Sequence, residues 1–333
     1  YFFRVSAVNA AGTGATVTTT SAVTPKTVPG IPAAPTGNPG NGLVNLTWTA
    51  AATPNGAAAI SDYTIQYSSN NGATWTVFPR SPASTALAAT VTGLTNGTNY
   101  LFRVAATNNQ GIGLYSDPSA TLTPRTIAGA PTTVTGEPGN GQVSLTWTAP
   151  ASNGGAAITN YIVEYSSNGT SWSTFARAAS ALASATVTGL TNGTGYFFRV
   201  SAVNPAGTGA AFTTTSTVTP RTLPGAPTAA SGSPGNQQVG LTWTAPASNG
   251  GAAITNYIVE YSSNGTSWMT VTRATSAATS AVVGNLTNGT GYFFRVSAVN
   301  AAGTGATVTT TSAVTPKTVP GIPAAPTGNP GNG

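Results

Sequence analysis

The 333-residue chain has 5% charged residues and a net charge of +6, against roughly 25% charged residues in an ordinary soluble domain. Its eleven Lys and Arg residues form no cluster, which argues against a nucleic-acid or anionic-membrane footprint, and no apolar run approaches the roughly 20 residues of a bilayer span. Cys and His are both absent, which removes disulfides and thiol chemistry but does not fix the compartment.

The chain opens on YFFRVSAVNAAGTG, and residues 1–42 return unchanged as 292–333. Variants of the opening phrase stand at Tyr100 and Tyr196, so the tyrosines at 1, 100, 196 and 292 step by 99, 96 and 96 residues. Pro39, Pro138, Pro234 and Pro330, in the PGNG or PGNQ phrase, keep the same steps. A period near one hundred is too long for a solenoid turn and fits a small independent domain. It divides the chain into a partial unit at 1–26, full units at 27–125, 126–221 and 222–317, and a second partial unit at 318–333. The first piece holds the last two strands of a unit and the last piece only a first strand. An isolated two-strand ribbon is marginal in water, so the chain is expected to be a window on a longer repetitive protein, with a three-domain block of 291 residues as its larger repeat.

Within 126–221 the elements follow in order. QVSLTWTA alternates, with Val143, Leu145 and Trp147 on one face and Ser144, Thr146 and Thr148 on the other, which predicts a half-buried strand. NYIVEYS turns Tyr161, Val163 and Tyr165 inward and Ile162 and Glu164 outward. SATVTGL contributes Ala185 and Val187, and GYFFRVSAV contributes Tyr196, Phe198, Val200 and Ala202. The Thr-rich tracts FTTTSTVT and TVTTTSAVT read as last strands. Turn signals (PGNG, SNGG, SSNGTS, TNGT, NPAGTG) separate the strands, and no segment keeps a 3.6-residue period. About seven short strands per unit predict an all-β protein of tandem antiparallel sandwiches. The first full unit is three residues longer than the others, with one extra residue in each of three predicted loops and none in a strand. A slip within a strand would turn its apolar set outward, so length varies only where the strand map allows it.

With these strands in place, the chain resembles fibronectin type III domains, which are seven-stranded and immunoglobulin-like. The residues that carry the resemblance are Trp48, Trp147 and Trp243 within LTWTA, and a Leu six residues before a Tyr: Leu94/Tyr100, Leu190/Tyr196 and Leu286/Tyr292, inside GLTNGTxY or NLTNGTGY. The resemblance implies that these nine residues are structural core, with the corner Tyr hydrogen-bonded back to the chain through its hydroxyl. The TNGT…FRVxAxN wording is most similar to bacterial members.

Little in the sequence carries chemistry. The five carboxylates are Asp62, Asp117, Glu137, Glu164 and Glu260, and no unit repeats a pair of them at one site, so catalytic, cofactor and metal residues are expected to be none. Trp75, Trp172 and Trp268 invite a sugar-stacking reading, but packing at the sandwich edge is the simpler expectation. Asn96, Asn192 and Asn288 stand in Asn-Gly-Thr sequons, and Asn-Gly is also what a tight turn needs. Glu164/Arg199 and Glu260/Arg295 are expected to face each other on adjacent strands, contributing roughly 0–1 kcal/mol if exposed. Leu101, Phe197 and Phe293, with Ile162 and Ile258, place apolar residues on a face expected to be polar. This pattern leaves two readings open, a surface accident or a stripe for self-association.

The expected function is an extracellular or cell-surface structural protein: a stalk, adhesin shaft or self-associating fibre with short, Pro-rich, stiff linkers such as TPRTLPGAP. Its partners would be further copies of itself or neighbouring repeats, with any polysaccharide or protein ligand unspecified. A spacer array in a secreted polysaccharide-degrading enzyme, or in a phage structural protein, is the alternative.

Overall fold

The computed structural model describes residues 1–53, 58–326 and 328. An N-terminal segment holds β1 (Arg4–Val5), β2 (Val8–Asn9), β3 (Gly12–Thr13) and β4 (Val17–Thr18). The first full domain follows with β5 (Thr36–Gly40), β6 (Leu43–Thr47), β7 (Asp62–Ser68), β8 (Thr76–Phe78), β9 (Ala88–Thr92), β10 (Leu101–Asn108) and β11 (Gly111–Ile112). The second has β12 (Thr132–Gly139), β13 (Gln142–Thr148), β14 (Asn160–Ser166), β15 (Ser173–Thr174), β16 (Ser184–Thr188), β17 (Phe197–Asn204) and β18 (Gly207–Thr213). The third repeats it as β19 (Thr228–Gly235), β20 (Gln238–Thr244), β21 (Asn256–Ser262), β22 (Met269–Thr270), β23 (Ser280–Val283), β24 (Phe293–Asn300) and β25 (Gly303–Thr309). The first strand expected within 318–333 lies largely outside the described residues.

Each full domain is a sandwich of a three-stranded and a four-stranded antiparallel sheet. In the second domain the orders are β12-β13-β16 and β15-β14-β17-β18, and the other two domains match it. The core lies where the alternation put it: Val143, Leu145 and Trp147 on β13 face Tyr161 and Val163 on β14 and Phe198, Val200 and Ala202 on β17, all buried. Trp147 meets Tyr161 edge-on, with ring centroids 5.2 Å apart, a geometry that aligns the ring quadrupoles favourably. Among the described residues the buried indole Nε1–H of Trp147 finds no hydrogen-bond partner, as in Trp48 and Trp243. Burial pushes the Tyr161 hydroxyl above its ordinary pKa, with the nearby indole pulling against it. Pro39, Pro138 and Pro234 sit in β5, β12 and β19, each at the edge of its sheet. A missing N–H costs no ladder bond on that side, and the edge is made a poorer template for another strand.

The corner tyrosines close each sandwich. Tyr196 pairs with Val218 beyond β18, and its hydroxyl accepts a hydrogen bond from the Thr191 backbone N–H at 3.2 Å. The same bond joins Thr95 to Tyr100 at 3.1 Å and Thr287 to Tyr292 at 3.2 Å. Trp48, Trp147, Trp243, Leu94, Leu190, Leu286, Tyr100 and Tyr292 are buried, and Tyr196 is half-buried. The Thr-rich tracts only begin as last strands. β18 ends at Thr213, after which the Thr214 hydroxyl takes over and accepts from the Phe198 N–H at 3.1 Å.

Residues 1–24 and 292–315 have the same sequence in two settings. The N-terminal hairpin pairs Arg4 with Thr18, Val5 with Val17 and Val8 with Thr13, and β24–β25 pairs Arg295 with Thr309, Val296 with Val308 and Val299 with Thr304. Register is therefore written in the hairpin itself, as the turn and bulge dictate. Burial is not: Phe3 is 57% exposed and Val5 71%, where Phe294 is 0% and Val296 1%.

In this 333-residue chain, amide hydrogen exchange should be orders of magnitude faster over Phe3–Thr19 than over Phe294–Thr310. Comparable protection in the two would show that the hairpin is stable without sheet neighbours. In the second domain, Trp147→Ala should lower stability by about 3–5 kcal/mol by opening a cavity. Tyr196→Phe should cost about 1 kcal/mol, the value of one hydrogen bond to a partly exposed N–H. Denaturant titration of both variants measures the contrast.

Candidate functional site: the junctions between domains

In an array, the groups that decide what the whole chain can do lie between the domains. After Tyr100–Leu122, the segment that leaves the first domain carries a carbonyl at Pro124 that accepts from the Gly97 N–H at 2.9 Å and an N–H at Arg125 that donates to the Gly40 carbonyl at 2.9 Å. The next residue already belongs to the second domain. The Thr126 N–H donates to the Gly154 carbonyl at 2.8 Å, and the Gly129 N–H to the Ser152 carbonyl at 2.9 Å. The buried Asn204 amide then bridges the Thr126 carbonyl at 2.8 Å and the Asn153 carbonyl at 2.7 Å. No residue separates the two sets of bonds.

The second junction repeats the first. Pro220 and Arg221 bond back to Gly193 and Gly139, while Thr222 and Gly225 bond forward to Gly250 and Ser248. Asn300 takes the place of Asn204, reaching the Thr222 and Asn249 carbonyls. The backbone bonds to both neighbours do not depend on proline content. The first linker has Ala128, buried, where the second has Pro224, yet the bonds are the same.

The glycines of SNGG make this approach possible. Gly155 has φ 84° and lies against the Asn96–Gly97 turn of the preceding domain; a Cβ there would stand 2.7 Å from the Asn96 carbonyl carbon. At Gly251 a Cβ would stand 2.5 Å from the Gly193 nitrogen. Both the left-handed backbone and the contact therefore exclude a side chain. The corresponding stretch of the first domain, 54–57, lies outside the described residues; its sequence, PNGA, has Ala57 at the position of the second glycine.

The sequon asparagines act at the same end of each domain. Asn96 Oδ1 accepts from the Gly42 N–H at 2.8 Å and its amide donates to Asn41 Oδ1 at 2.8 Å. Asn192 holds Gly141 and Asn140 in the same way, and Asn288 holds Gln237 and Asn236. Asn-Gly is indeed the turn, with Gly97, Gly193 and Gly289 at φ 83–85°, but the Asn side chain also clamps it to the PGN turn. Sequence reasoning missed the clamp and the junction contact, although the double glycine and the repeated Asn were visible.

The outer face of each four-stranded sheet carries the remaining sequence-predicted residues. Arg199 grips Glu164 with two bonds of 2.7 Å, from Nε and from Nη2. The guanidinium carbon lies 4.5 Å from the centre of the Trp172 ring. Arg295, Glu260 and Trp268 repeat the stack. The hydrogen bonds to Glu164 hold Arg199 above its ordinary pKa against partial burial, and those to Glu260 do the same for Arg295. Trp75, Trp172 and Trp268 thus cover arginines on the outer sheet face and belong to no core cluster. Each tryptophan directly precedes an edge strand, β8, β15 or β22, and what sequence reasoning missed is its partner: an Arg on the outer face gives the indole a cation to cover.

Leu101, Phe197, Phe293, Ile162 and Ile258 are all half-buried. Phe197 pairs with Ser166, and Gly169 of the SSNGTS loop lies over its ring. Ile162 pairs with Ser201, and the Glu164–Arg199 rung falls between the two apolar residues. In the first domain Thr64 occupies the place of Ile162. The five residues are brought onto one kind of face but not into one continuous strip.

Comparison with known proteins adds the following. A family model described as the fibronectin type III domain matches residues 34–122, 129–219 and 225–315. The chain is similar to titin of Drosophila melanogaster, 33% identical over 231 residues, covering 66% of this chain and 1% of titin. It is similar to fibronectin type-III domain-containing protein 3a of Gallus gallus, 34% identical over 228 residues, covering 66% of this chain and 18% of that protein. Neogenin of Rattus norvegicus is 31% identical over 288 residues, covering 79% of this chain and 19% of neogenin. The chain therefore spans less than a fifth of each of these relatives, which are animal proteins. A crystal structure of the chicken CNTN1 FN1-FN3 domains aligns over 87% of this chain and 100% of that one, at 23% identity and a TM-score of 0.34.

Replacing Gly155 and Gly251 by Val should release the junctions while leaving three cooperative domains. Residual dipolar couplings would then need a separate alignment tensor for each domain, where the wild-type chain needs one. Gly189→Val is the control, since Gly189 has φ 76° but nothing within 4 Å of a Cβ. It strains a turn without touching a neighbour, and one tensor should still suffice.

Proposed function

This chain belongs to the fibronectin type III family, and on that premise we propose that it is a non-catalytic structural shaft, exposed outside the cell or at its surface, whose task is to hold distance and direction. The observation that carries the reading is the stapled linker: two successive junctions use the same backbone bonds, so each domain is set on the next in the same way. Side-chain chemistry supports it. Three of the five carboxylates are engaged with arginines, Asp62 with Arg80, Glu164 with Arg199 and Glu260 with Arg295.

A surface setting is supported by composition. Exposed positions are filled mainly by Thr, Ser, Asn, Ala and Gly, with eleven Lys and Arg residues in all, so a trypsin-like protease finds few cleavage sites. A bacterial origin rests on the wording of the TNGT…FRVxAxN motif alone. Lateral association through Phe197, Phe293 and Leu101 would use side chains that are half-buried beside the loop glycines Gly169, Gly265 and Gly72, and a shaft acting end to end does not require it.

Two measurements test the reading. Electron microscopy of the purified chain should show straight rods of uniform length, and an antibody raised against it should label intact producing cells. Flexible beads would remove the shaft. Labelling only after permeabilisation would move the protein inside the cell as a scaffold.

A further inference from the structure

The three outer faces are built alike but not filled alike. In the second and third domains the arginine of β17 or β24 is neutralised by a glutamate directly across the ladder, Glu164 or Glu260. In the first domain the residue across from Arg103 is Gln66. Gln66 offers one neutral oxygen, which accepts from Arg103 Nε at 2.9 Å. Among the described residues Arg103 makes no other side-chain hydrogen bond and no ion pair, so its two terminal nitrogens keep their N–H groups free.

The guanidinium is nevertheless held in place. Its carbon lies 4.2 Å from the centre of the Trp75 ring and 4.5 Å from the centre of the Tyr115 ring. Tyr115 stands where the other domains have Ala211 and Thr307, so the second ring accompanies the loss of the glutamate. Burial pushes the Tyr115 hydroxyl up in pKa, with Arg103 and Gln66 pulling against it. Two aromatic rings fix the orientation of a planar cation and shed water from its faces, and the donor fork is left pointing along its edge.

We propose that Arg103, clamped by Trp75 and Tyr115 on the outer face of the first full domain, is a binding site for a carboxylate, filled by a Glu or Asp side chain of an acidic segment on a partner protein. In the other two domains Arg199 and Arg295 each hold a glutamate carboxylate through Nε and Nη2 with bonds of 2.7–2.9 Å; at Arg103 the Gln66 oxygen takes Nε, so an incoming carboxylate would be met by the terminal nitrogens. A peptide carboxylate fits better than an acidic sugar, because the guanidinium already lies over both the Trp75 and the Tyr115 rings and takes the stacking surface a sugar ring would use. The net charge of +6 favours the approach of an acidic partner.

The test uses the whole 333-residue chain and decaglutamate as the probe, followed by NMR of the arginine Nε–H and tryptophan indole resonances. Arg103 and Trp75 should shift saturably while Arg199, Arg295, Trp172 and Trp268 stay in place. Gln66→Glu installs the glutamate of the other domains and should weaken binding at least tenfold. Glu164→Gln should create a second, weaker responding site at Arg199 and Trp172, where Ala211 supplies no second ring. Uniform drift of all arginine signals, or undiminished binding by the Gln66→Glu protein, would overturn the site. Saturation by oligogalacturonate with no response to decaglutamate would overturn its assignment to an acidic peptide.

Discussion

A connecting segment whose peptide groups are bonded to the domain behind up to one residue and to the domain ahead from the next is the constraint from which the array follows. A free linker would leave its N–H and C=O groups to water and its dihedrals to chance. Here Pro124 and Arg125 are held by the domain behind, and Thr126 and Gly129 by the domain ahead. Because backbone carries the contact, linker side chains can change, as Ala128 and Pro224 do, without loss. The glycines that let backbone meet backbone cannot. The usual order of tolerance is thereby reversed, with the connecting segment forgiving and the adjacent turn strict.

Most of the sandwich was legible because burial on one face of a strand imposes a period of two, and Val143, Leu145 and Trp147 display it without interruption. The corner was legible through spacing, since Leu190 and Tyr196 bracket a turn of fixed length. The junction was not, for a physical reason: SNGG and TNGT each make sense as local turns, and nothing in either string says that one rests on the other. The partners of the outer-face tryptophans were missed on similar grounds. A lone aromatic in a turn-rich stretch signals burial in general, whereas the arginine that covers Trp172 comes from a strand far along the chain.

The paired settings of one sequence separate what is local from what is not. Residues 1–24 keep the register of β24–β25, as expected where turn geometry and the bulge set the pairing. They bury nothing, because the apolar face of this hairpin needs the opposite sheet. Local chemistry thus supplies the pattern and tertiary contact the free energy, which matches the general dependence of small β-structures on a third strand and a covering layer.

The short linker has one more effect, on the way the chain folds. β14 and β21 share the sequence NYIVEYS, and β17 and β24 share FFRVSAVN. Each partner strand is therefore chemically indistinguishable from its counterpart next door, and crosswise pairing between neighbours would satisfy every side chain as well as the correct one. Near-identical adjacent domains are prone to this kind of interchange during folding. A linker with slack would permit it. One stapled residue by residue to both sides has no length to give, so a strand that crossed over would have to forfeit the junction bonds on either side of it. The same bonds that leave the linker no slack also keep each strand at home.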